Sequence, residues 1–308
     1  MTRREKILMA GFAAAFVVLA FLPALGNAYL LTLGISIAMY GVLATSWAMF
    51  SGPTHYISLA TAAFYGLGAY TVGSGIEHLP YAVLVGISAV GGGVLALLVG
   101  LATLRLSGVY FVIFTLGLAE FIRQVVTWVQ NNFTGSRGMY VLTDLKDQHI
   151  YWQLLALGAI VALLGWWINR SRLGFALRII GNDELVASHV GIHSPRAKVL
   201  LFVISGVVAA IVGAIMAPRF TYIEPSMAFA PDLSFQVVIM ALLGGVHRLW
   251  GPIVGVVPFT LLWEAISASF PTQTVLLLGV AFLLIVYFIP QGVVGLLEKL
   301  KRKGHDHA

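Results

Sequence analysis

Long apolar runs separated by short polar segments form the dominant pattern along this chain. Most runs are close to the ~20 residues with which a helix crosses the hydrocarbon core of a bilayer. They lack the period-2 alternation of strands, and lipid offers backbone groups no hydrogen-bond partner, so runs of this length form helices. The pattern predicts an all-α, polytopic membrane protein with about ten spans, at residues 6–25, 28–50, 56–76, 81–104, 108–130, 151–169, 197–218, 232–246, 252–270 and 273–290.

Some of these runs are open to a second interpretation. The run 232–246 is short for a span, and the segment 51–60 contains a Ser-Gly-Pro sequence ending at Pro53, where a helix is expected to break. Either region can be a half-helix that dips into the protein. The first run also has the shape of a signal peptide, but the count of spans works only if it is retained. We expect residues 1–308 to form one transmembrane domain with a soluble cytoplasmic tail at 297–308.

The composition excludes several classes of protein. A soluble domain does not carry 59% hydrophobic and only 10% charged residues. Without cysteine, the chain has no disulfide framework, thiolate metal site or cysteine nucleophile. The net charge of +6 is explained by topology: with both termini in the cytoplasm, fourteen Lys and Arg residues fall in cytoplasmic segments and three outside. We therefore expect contact with membrane lipid and no nucleic-acid partner.

The largest polar segment between two apolar runs is the island at 170–198, which has five basic residues against Asp183 and Glu184. It is predicted to form two short amphipathic helices with a sharp bend at Gly181 and Asn182. Such a pair can rest on lipid headgroups or dock into the groove of a partner. The residues alone leave this choice open.

The ends of these short helices follow from their capping residues. The first helix runs from Gly174 to Ile180, with apolar contacts from Phe175, Leu177 and Ile179. Asn182 or Asp183 caps the second helix, which carries Leu185, Val186 and Val190 and which Gly191 ends. Ser194 is expected to cap the next span, with Pro195 at its first helical position.

Five motifs follow one another along the chain. They are Ser58-Leu59 with Ala62-Ala63-Phe64-Tyr65-Gly66-Leu67-Gly68-Ala69-Tyr70, Leu106 with Gly108-Val109-Tyr110-Phe111, Thr115-Leu116 and Glu120, the island with Ser171-Arg172-Leu173-Gly174-Phe175 and Asn182-Asp183-Glu184 continuing to Lys198 and Phe202, Gly244-Gly245 with Gly251-Pro252 and Gly255, and Pro290 with Gly292 and Gly295-Leu296. In this order they resemble the LivM-type permeases, which are subunits of ABC importers for branched-chain amino acids. The resemblance covers nearly the whole chain.

The resemblance implies a type II-like ABC importer permease in the bacterial inner membrane, which moves substrate delivered by a periplasmic binding protein. Its other implied partners are two ATP-binding subunits and a second, homologous permease of the LivH type. The chain itself has no G-x-x-x-x-G-K-[ST] loop, so we expect no ATP hydrolysis, catalytic residue or cofactor. In such importers the segment corresponding to 170–197 couples the ATPase to the spans, and this implies ATPase-coupling roles for Arg172, Gly174, Arg178, Gly181, Asn182, Asp183, Glu184 and Gly191.

The chain departs from the family pattern at several positions. Thr61 stands where the family commonly has His, Ala60 where it has Gly, and His55 at another usual Gly. His247 and Arg248 replace the usual Gly-Thr. If the third span lines the pathway, the substrate is open between branched-chain amino acids and urea, short amides, or aromatic or dicarboxylic acids.

Three ionisable residues, Glu120, Arg123 and Glu264, fall within predicted spans. A charge at mid-bilayer costs ~2.5–3.5 kcal/mol, so each should face protein or water. Glu120 and Arg123 are three apart on one helix face and can pair. Either they line a translocation pathway together with Thr61 and Phe64, or the pair fixes helix packing.

Two other functional classes compete with a permease subunit. A stand-alone secondary transporter predicts an inverted repeat and carboxylates near the midplane, for which Glu120 and Glu264 are the candidates, and no clear repeat is present. An intramembrane enzyme needs a Ser/His or His-Glu-x-x-His arrangement within the spans, which the chain lacks. His189 and His193 are four apart, but Gly191 ends the helix between them, so no metal site is expected.

Overall fold

The computed structural model describes residues 16, 19–103, 108–135, 138–182, 184–246, 248, 250–270, 272–273, 276–277, 279–280 and 283. Within them the chain is almost entirely helical. The α-helices are α1 (Ala28–Thr54), α2 (Thr61–Gly75), α3 (Tyr81–Thr103), α4 (Val109–Val129), α5 (Asp147–Arg170), α6 (Arg172–Asn182), α7 (Glu184–His189), α8 (Ser194–Met216), α9 (Pro225–Ala228), α10 (Pro231–Gly244) and α11 (Gly251–Ser269).

Short elements join these helices. The segments Leu22–Leu25 and Ala217–Arg219 are 3₁₀ turns, and Gln130–Thr134 continues α4 as a π-helical turn. The strands β1 (Met139–Tyr140) and β2 (Tyr222–Ile223) pair in an antiparallel manner. This pairing joins the segment after α4 to the segment after α8.

The predicted class, an all-α polytopic membrane protein, is confirmed. The predicted number of about ten spans is larger than the number that the described chain shows. Seven helical segments of the described chain are long and apolar enough to cross a membrane, namely Ala28–Thr54, Tyr81–Thr103, Val109–Phe133, Asp147–Arg170, Ser194–Arg219, Pro225–Gly244 and Gly251–Ser269. Their ends lie within a few residues of the predicted ones, except for the segment predicted as 232–246, whose observed span begins earlier. Of the remaining three predicted spans, 6–25 and 273–290 lie largely outside the described residues. The third, predicted at 56–76, is the short helix α2.

The helix α2 has 15 residues, fewer than a full membrane-crossing helix. It completes the crossing together with the non-helical residues before it, because Pro53 lies against Gly181 of the island and Gly73 lies against Met139 at the other end of the bundle. The helix break predicted within 51–60 is confirmed, although α1 continues past Pro53 to Thr54 and ends at His55, whose φ of 58° is left-handed. Pro53 cannot donate the N–H that would bond the Met49 carbonyl, and α1 ends one residue later. Non-helical backbone therefore occupies residues 55–60, of which 56–60 belong to the predicted third span.

Helices α2 and α8 form the centre of the bundle and approach each other closely at glycine. A Cβ atom added to Gly68 would lie 1.9 Å from the carbonyl oxygen of Ala210, and one added to Gly213 would lie 1.9 Å from that of Tyr65. Only a hydrogen atom fits at either position. Small residues of this kind allow membrane helices to pack by van der Waals contact, since no hydrophobic drive acts between them in lipid.

Helix α4 lies at the edge of the bundle. Its buried side chains are Phe111, Thr115 and Ala119, spaced four apart along a single face. The opposite face exposes large apolar side chains, including Tyr110 at 74% and Phe121 at 65%. The helix is therefore held on one side only by the rest of the described chain.

Candidate functional site

The break between α1 and α2 places non-helical backbone inside the bundle, where Ser58, Leu59 and Ala60 are buried. We refer to residues 55–60 as the connecting segment. Buried backbone groups outside a helix need other partners, because lipid and core side chains offer none. At the two ends of the connecting segment the partners are backbone groups of the flanking helices. Between them the partners include side chains from α1, α4 and α10.

Leu59 shows the arrangement most clearly. Its N–H donates to Oγ1 of Thr115 on α4 at 3.0 Å, and its carbonyl accepts from Oγ of Ser234 on α10 at 2.8 Å. The same Ser234 oxygen accepts the N–H of Ala62 in the first turn of α2 at 2.9 Å. Trp47 of α1 donates from Nε1 to the carbonyl of Ser58 at 2.8 Å. Three helices thus fix the path of the connecting segment.

Aromatic side chains surround the same segment. Tyr56 packs edge-on against Phe111 at 5.3 Å between ring centroids. Phe202 of α8 contacts Phe50, Phe64 and Phe111 at 5.2, 5.6 and 6.1 Å. Edge-to-face contacts at these distances add to the energy of burial. The cluster closes the bundle where α1 ends and where α2, α4 and α8 begin.

The predicted pathway residues occupy two separate environments. Thr61 and Phe64 lie in the first turn of α2 and are 7% and 3% exposed. Phe64 belongs to the aromatic cluster through Phe202. Glu120 and Arg123 lie farther along α4, on a part of its surface that remains accessible. The described chain therefore does not bring the four residues into one site, and their role in a pathway stays a prediction.

The pairing expected for Glu120 and Arg123 is confirmed. Nε of Arg123 donates to Oε2 of Glu120 at 2.8 Å, a second guanidinium nitrogen contacts Oε1, and Nε2 of Gln124 donates to Oε1 at 2.9 Å. The Arg123 and Glu120 side chains are 31% and 44% exposed. This polar group, Glu120, Arg123 and Gln124, lies in the middle of a membrane helix whose neighbours in the described chain do not cover it.

The island forms the predicted pair of short helices, and the first of them ends two residues later than expected. Helix α6 continues through Gly181 to Asn182, and α7 begins at Glu184. Gly191 ends the second helix with a φ of 80°, as predicted. Asp183 lies outside the described residues, and the side chains of Asn182 and Glu184 are likewise outside the description.

The apolar residues predicted on the two island helices divide between buried and exposed ones, and Val186 and Val190 are exposed at 51% and 66%. Leu177, Ile180 and Ala187 are buried, and Ile179 packs against the core. Phe175, which was expected to make an inward apolar contact, is 62% exposed. Phe175 lies two positions from Leu177, so in a helix of 3.6 residues per turn it faces away from the buried side of α6.

The glycines of the island lie against other parts of the chain. A Cβ atom on Gly174 would lie 2.3 Å from the carbonyl oxygen of Ile168, so this glycine permits the sharp turn from α5 into α6. A Cβ atom on Gly181 would lie 2.9 Å from the carbonyl oxygen of Pro53. Arg172 and Arg178 are exposed on α6. The coupling roles implied for these residues remain predictions.

The expected cap of α8 is also corrected. The helix includes Ser194 as its first residue, follows His193 and has no side-chain capping bond. The Ser194 hydroxyl is buried without a partner. Pro195 lies near the start of the helix, as its fixed φ and missing N–H favour.

Three residues of this site were not singled out from the sequence as parts of it: Trp47, Thr115 and Ser234. Each is a polar or amphipathic side chain within a predicted span. That position is a usable signal, because a polar group in a membrane helix normally has a partner inside the protein. The identity of the partner is not visible in a sequence.

Comparison with known proteins gives a consistent result. Residues 29–289 match the model of a family described as branched-chain amino acid transport system, permease component. The chain is 25% identical to the high-affinity branched-chain amino acid transport system permease protein LivM of Salmonella typhimurium, over 95% of this chain and 76% of that protein. LivM of Escherichia coli is 24% identical over the same shares, and LivH of Escherichia coli is 28% identical over 42% of each chain. No solved structure matches the chain significantly.

Proposed function

Because the chain belongs to the family of branched-chain amino acid transport system permease components, we propose that it is the membrane-spanning subunit of an ATP-driven importer in the bacterial inner membrane. The resemblance to LivM-type permeases indicated by the sequence motifs is confirmed. The names of both LivM relatives specify branched-chain amino acid transport. This supports branched-chain amino acids as the substrate over urea, short amides, and aromatic or dicarboxylic acids. A periplasmic binding protein would deliver the substrate.

The proposed ATP-driven mechanism is supported mainly by exposed apolar side chains on the outer face of α6 and in the turn after α7. Phe175 and Val190 are 62% and 66% exposed, beside the exposed Arg172 and Arg178. Large apolar side chains in a water-facing, basic segment are typical of a surface that docks into a partner's groove. We assign this face to an ATP-binding subunit, with both chain termini on the same, cytoplasmic side.

The polar group on α4 supports a second permease subunit. Glu120 and Arg123 pair in mid-helix while they remain partly exposed. Charges at this depth are expected to face protein or a water-filled cavity. A homologous subunit packed along α4 would cover them, and a substrate pathway between the two subunits would provide the water. This arrangement is our proposal for their role.

The docking face can be tested by inserting a charge. Phe175→Glu should weaken copurification of the ATP-binding subunits at least tenfold, because it places a carboxylate in an apolar groove. The matched control is Leu142→Glu, which changes a side chain of 75% exposure in the loop at the other end of the bundle. Both variants are purified from native membranes in mild detergent, and copurifying proteins are quantified by mass spectrometry.

The outcomes separate the proposal from its competitor. Equal recovery of the ATP-binding subunits with Phe175→Glu and Leu142→Glu would disprove the assignment of the docking face. Uptake of labelled leucine by the purified chain in vesicles without any ATP-binding subunit would show a stand-alone transporter instead. Competition by unlabelled valine and isoleucine, but not by urea or glutamate, is the result expected for the substrate.

A further inference from the structure

Lys198 is a buried cation at the start of α8. The residue is 2% exposed, and its Nζ lies 4.2 Å from the centroid of the Tyr56 ring. A desolvated ammonium group needs strong local compensation, and an aromatic face supplies part of it. Tyr56 belongs to the connecting segment, so this contact joins α8 to the break between α1 and α2.

The contact lies at the base of the aromatic cluster. Phe202 is one helical turn beyond Lys198 and therefore on the same face of α8. Tyr56 meets Lys198 through its face and packs edge-on against Phe111, 5.3 Å away. Movement of the first turns of α8 therefore acts on the tyrosine ring and on the rings packed against it.

A second contact reaches the same place from α6. The Cα of Gly181 lies so close to the end of α1 that an added Cβ would be 2.9 Å from the carbonyl oxygen of Pro53. That oxygen is a backbone atom and cannot rotate away. Residues 53–56 are thus contacted by Gly181 before the α6–α7 bend and by Lys198 after it.

We propose that Lys198 and Gly181 are positioning residues that transmit displacement of α6 and α7 to the connecting segment, and through it to α2. The inference rests on the proposed function, in which an ATP-binding subunit moves α6 and α7. Gly181 acts by direct contact with the end of α1, and Lys198 by its hold on the Tyr56 ring. The connecting segment leads directly to Thr61 and Phe64, so the displacement reaches the first turn of α2.

The test compares uptake with ATP hydrolysis in the complete complex, containing this chain, its partner permease, the ATP-binding subunits and the binding protein in proteoliposomes. Tyr56→Leu removes the ring that holds Lys198, whereas Tyr56→Phe keeps it. We expect Tyr56→Leu to lower labelled leucine taken up per ATP hydrolysed at least fivefold, with hydrolysis within twofold of the wild type. Tyr56→Phe should keep the wild-type ratio within twofold.

A second pair of variants acts from the other side. Gly181→Ala forces α6 away from Pro53, whereas Gly86→Ala adds the same methyl group where no atom lies within 4 Å. The uptake-to-hydrolysis ratio should fall with Gly181→Ala and not with Gly86→Ala. This pair decides the question if Tyr56→Leu fails to assemble.

Each outcome has a defined meaning. An unchanged ratio in Tyr56→Leu, or uptake and hydrolysis that fall in the same proportion, overturns the positioning role, because a purely structural defect lowers both together. A wild-type complex that shows no ATP-driven uptake of leucine, valine or isoleucine overturns the proposed function and this inference with it. A wild-type complex with normal uptake leaves the proposed function standing whatever the variants show.

Discussion

Among the hydroxyl side chains that bond the connecting segment, Ser234 should contribute most to stability. Its replacement by alanine should therefore destabilise the fold more than the removal of any other of these hydroxyl groups. The Ser234 side chain is fully buried and bonds two backbone groups at once. It donates to the Leu59 carbonyl at 2.8 Å and accepts the Ala62 N–H at 2.9 Å. Ser234→Ala leaves both groups without a partner in a dry environment.

The size of the effect follows from those two groups. A buried donor or acceptor left unsatisfied costs about 1–3 kcal/mol, so two of them cost about 2–6 kcal/mol. Polar contacts in membrane proteins are measured at about 0.6 kcal/mol on average, because the unfolded chain in lipid also finds partners. We therefore expect Ser234→Ala to lower the free energy of unfolding by about 2–3 kcal/mol.

The assay is reversible unfolding of the chain in mixed micelles by titration with a denaturing detergent, followed by far-ultraviolet circular dichroism. The matched control is Ser36→Ala on α1, whose hydroxyl donates to the Thr32 carbonyl of its own helix at 3.2 Å. That carbonyl also belongs to the helical ladder, so this control should change stability by less than about 0.5 kcal/mol. A difference between the two variants below about 0.5 kcal/mol would refute the reasoning that the connecting segment depends on Ser234.

Two further predictions concern helix packing and the charges on α4. Gly213→Ala places a methyl group 1.9 Å from the Tyr65 carbonyl oxygen and should lower the free energy of unfolding by about 3 kcal/mol through overpacking. The control Gly86→Ala should leave stability unchanged or raise it by up to about 1 kcal/mol. Equal melting temperatures of the two variants in detergent would contradict this prediction. Glu120→Gln leaves Arg123 without its counter-charge and should cost about 2–3 kcal/mol, and the double variant with Arg123→Gln should recover most of that loss in the same unfolding assay. Strictly additive losses would show that the two side chains do not interact.

The hydropathy pattern was sufficient for most helices, because a lipid-facing helix must be apolar over a length that the bilayer fixes. It failed at the third predicted span for a non-local reason. Residues 56–60 are as apolar as a helix, but their backbone is bonded by Thr115 and Ser234, which lie 56 and 175 positions away from Leu59 in the chain. A local pattern contains no information about such partners.

The island shows a similar limit. Its two helices and the terminating Gly191 follow from local rules of capping and backbone conformation. The direction in which Phe175 points does not follow from these local rules. Both faces of a short helix can be apolar when one face packs inward and the other contacts a partner. The resemblance implies an ATPase-coupling role for Gly181, which remains a prediction, and the structure adds a contact with Pro53 of the same chain. Only the tertiary fold shows such an internal contact.

The close approach of α2 and α8 limits where a solute can travel. At Gly68 and Gly213 the two backbones are separated by little more than a hydrogen atom. Parting them by the width of a leucine side chain would break contacts along most of the buried length of both helices. These two helices therefore move as one rigid unit, and the protein opens and closes along interfaces on the other sides of this unit. Within the described chain, helix α4 is attached by a single face, so a seam along α4 has few contacts to break.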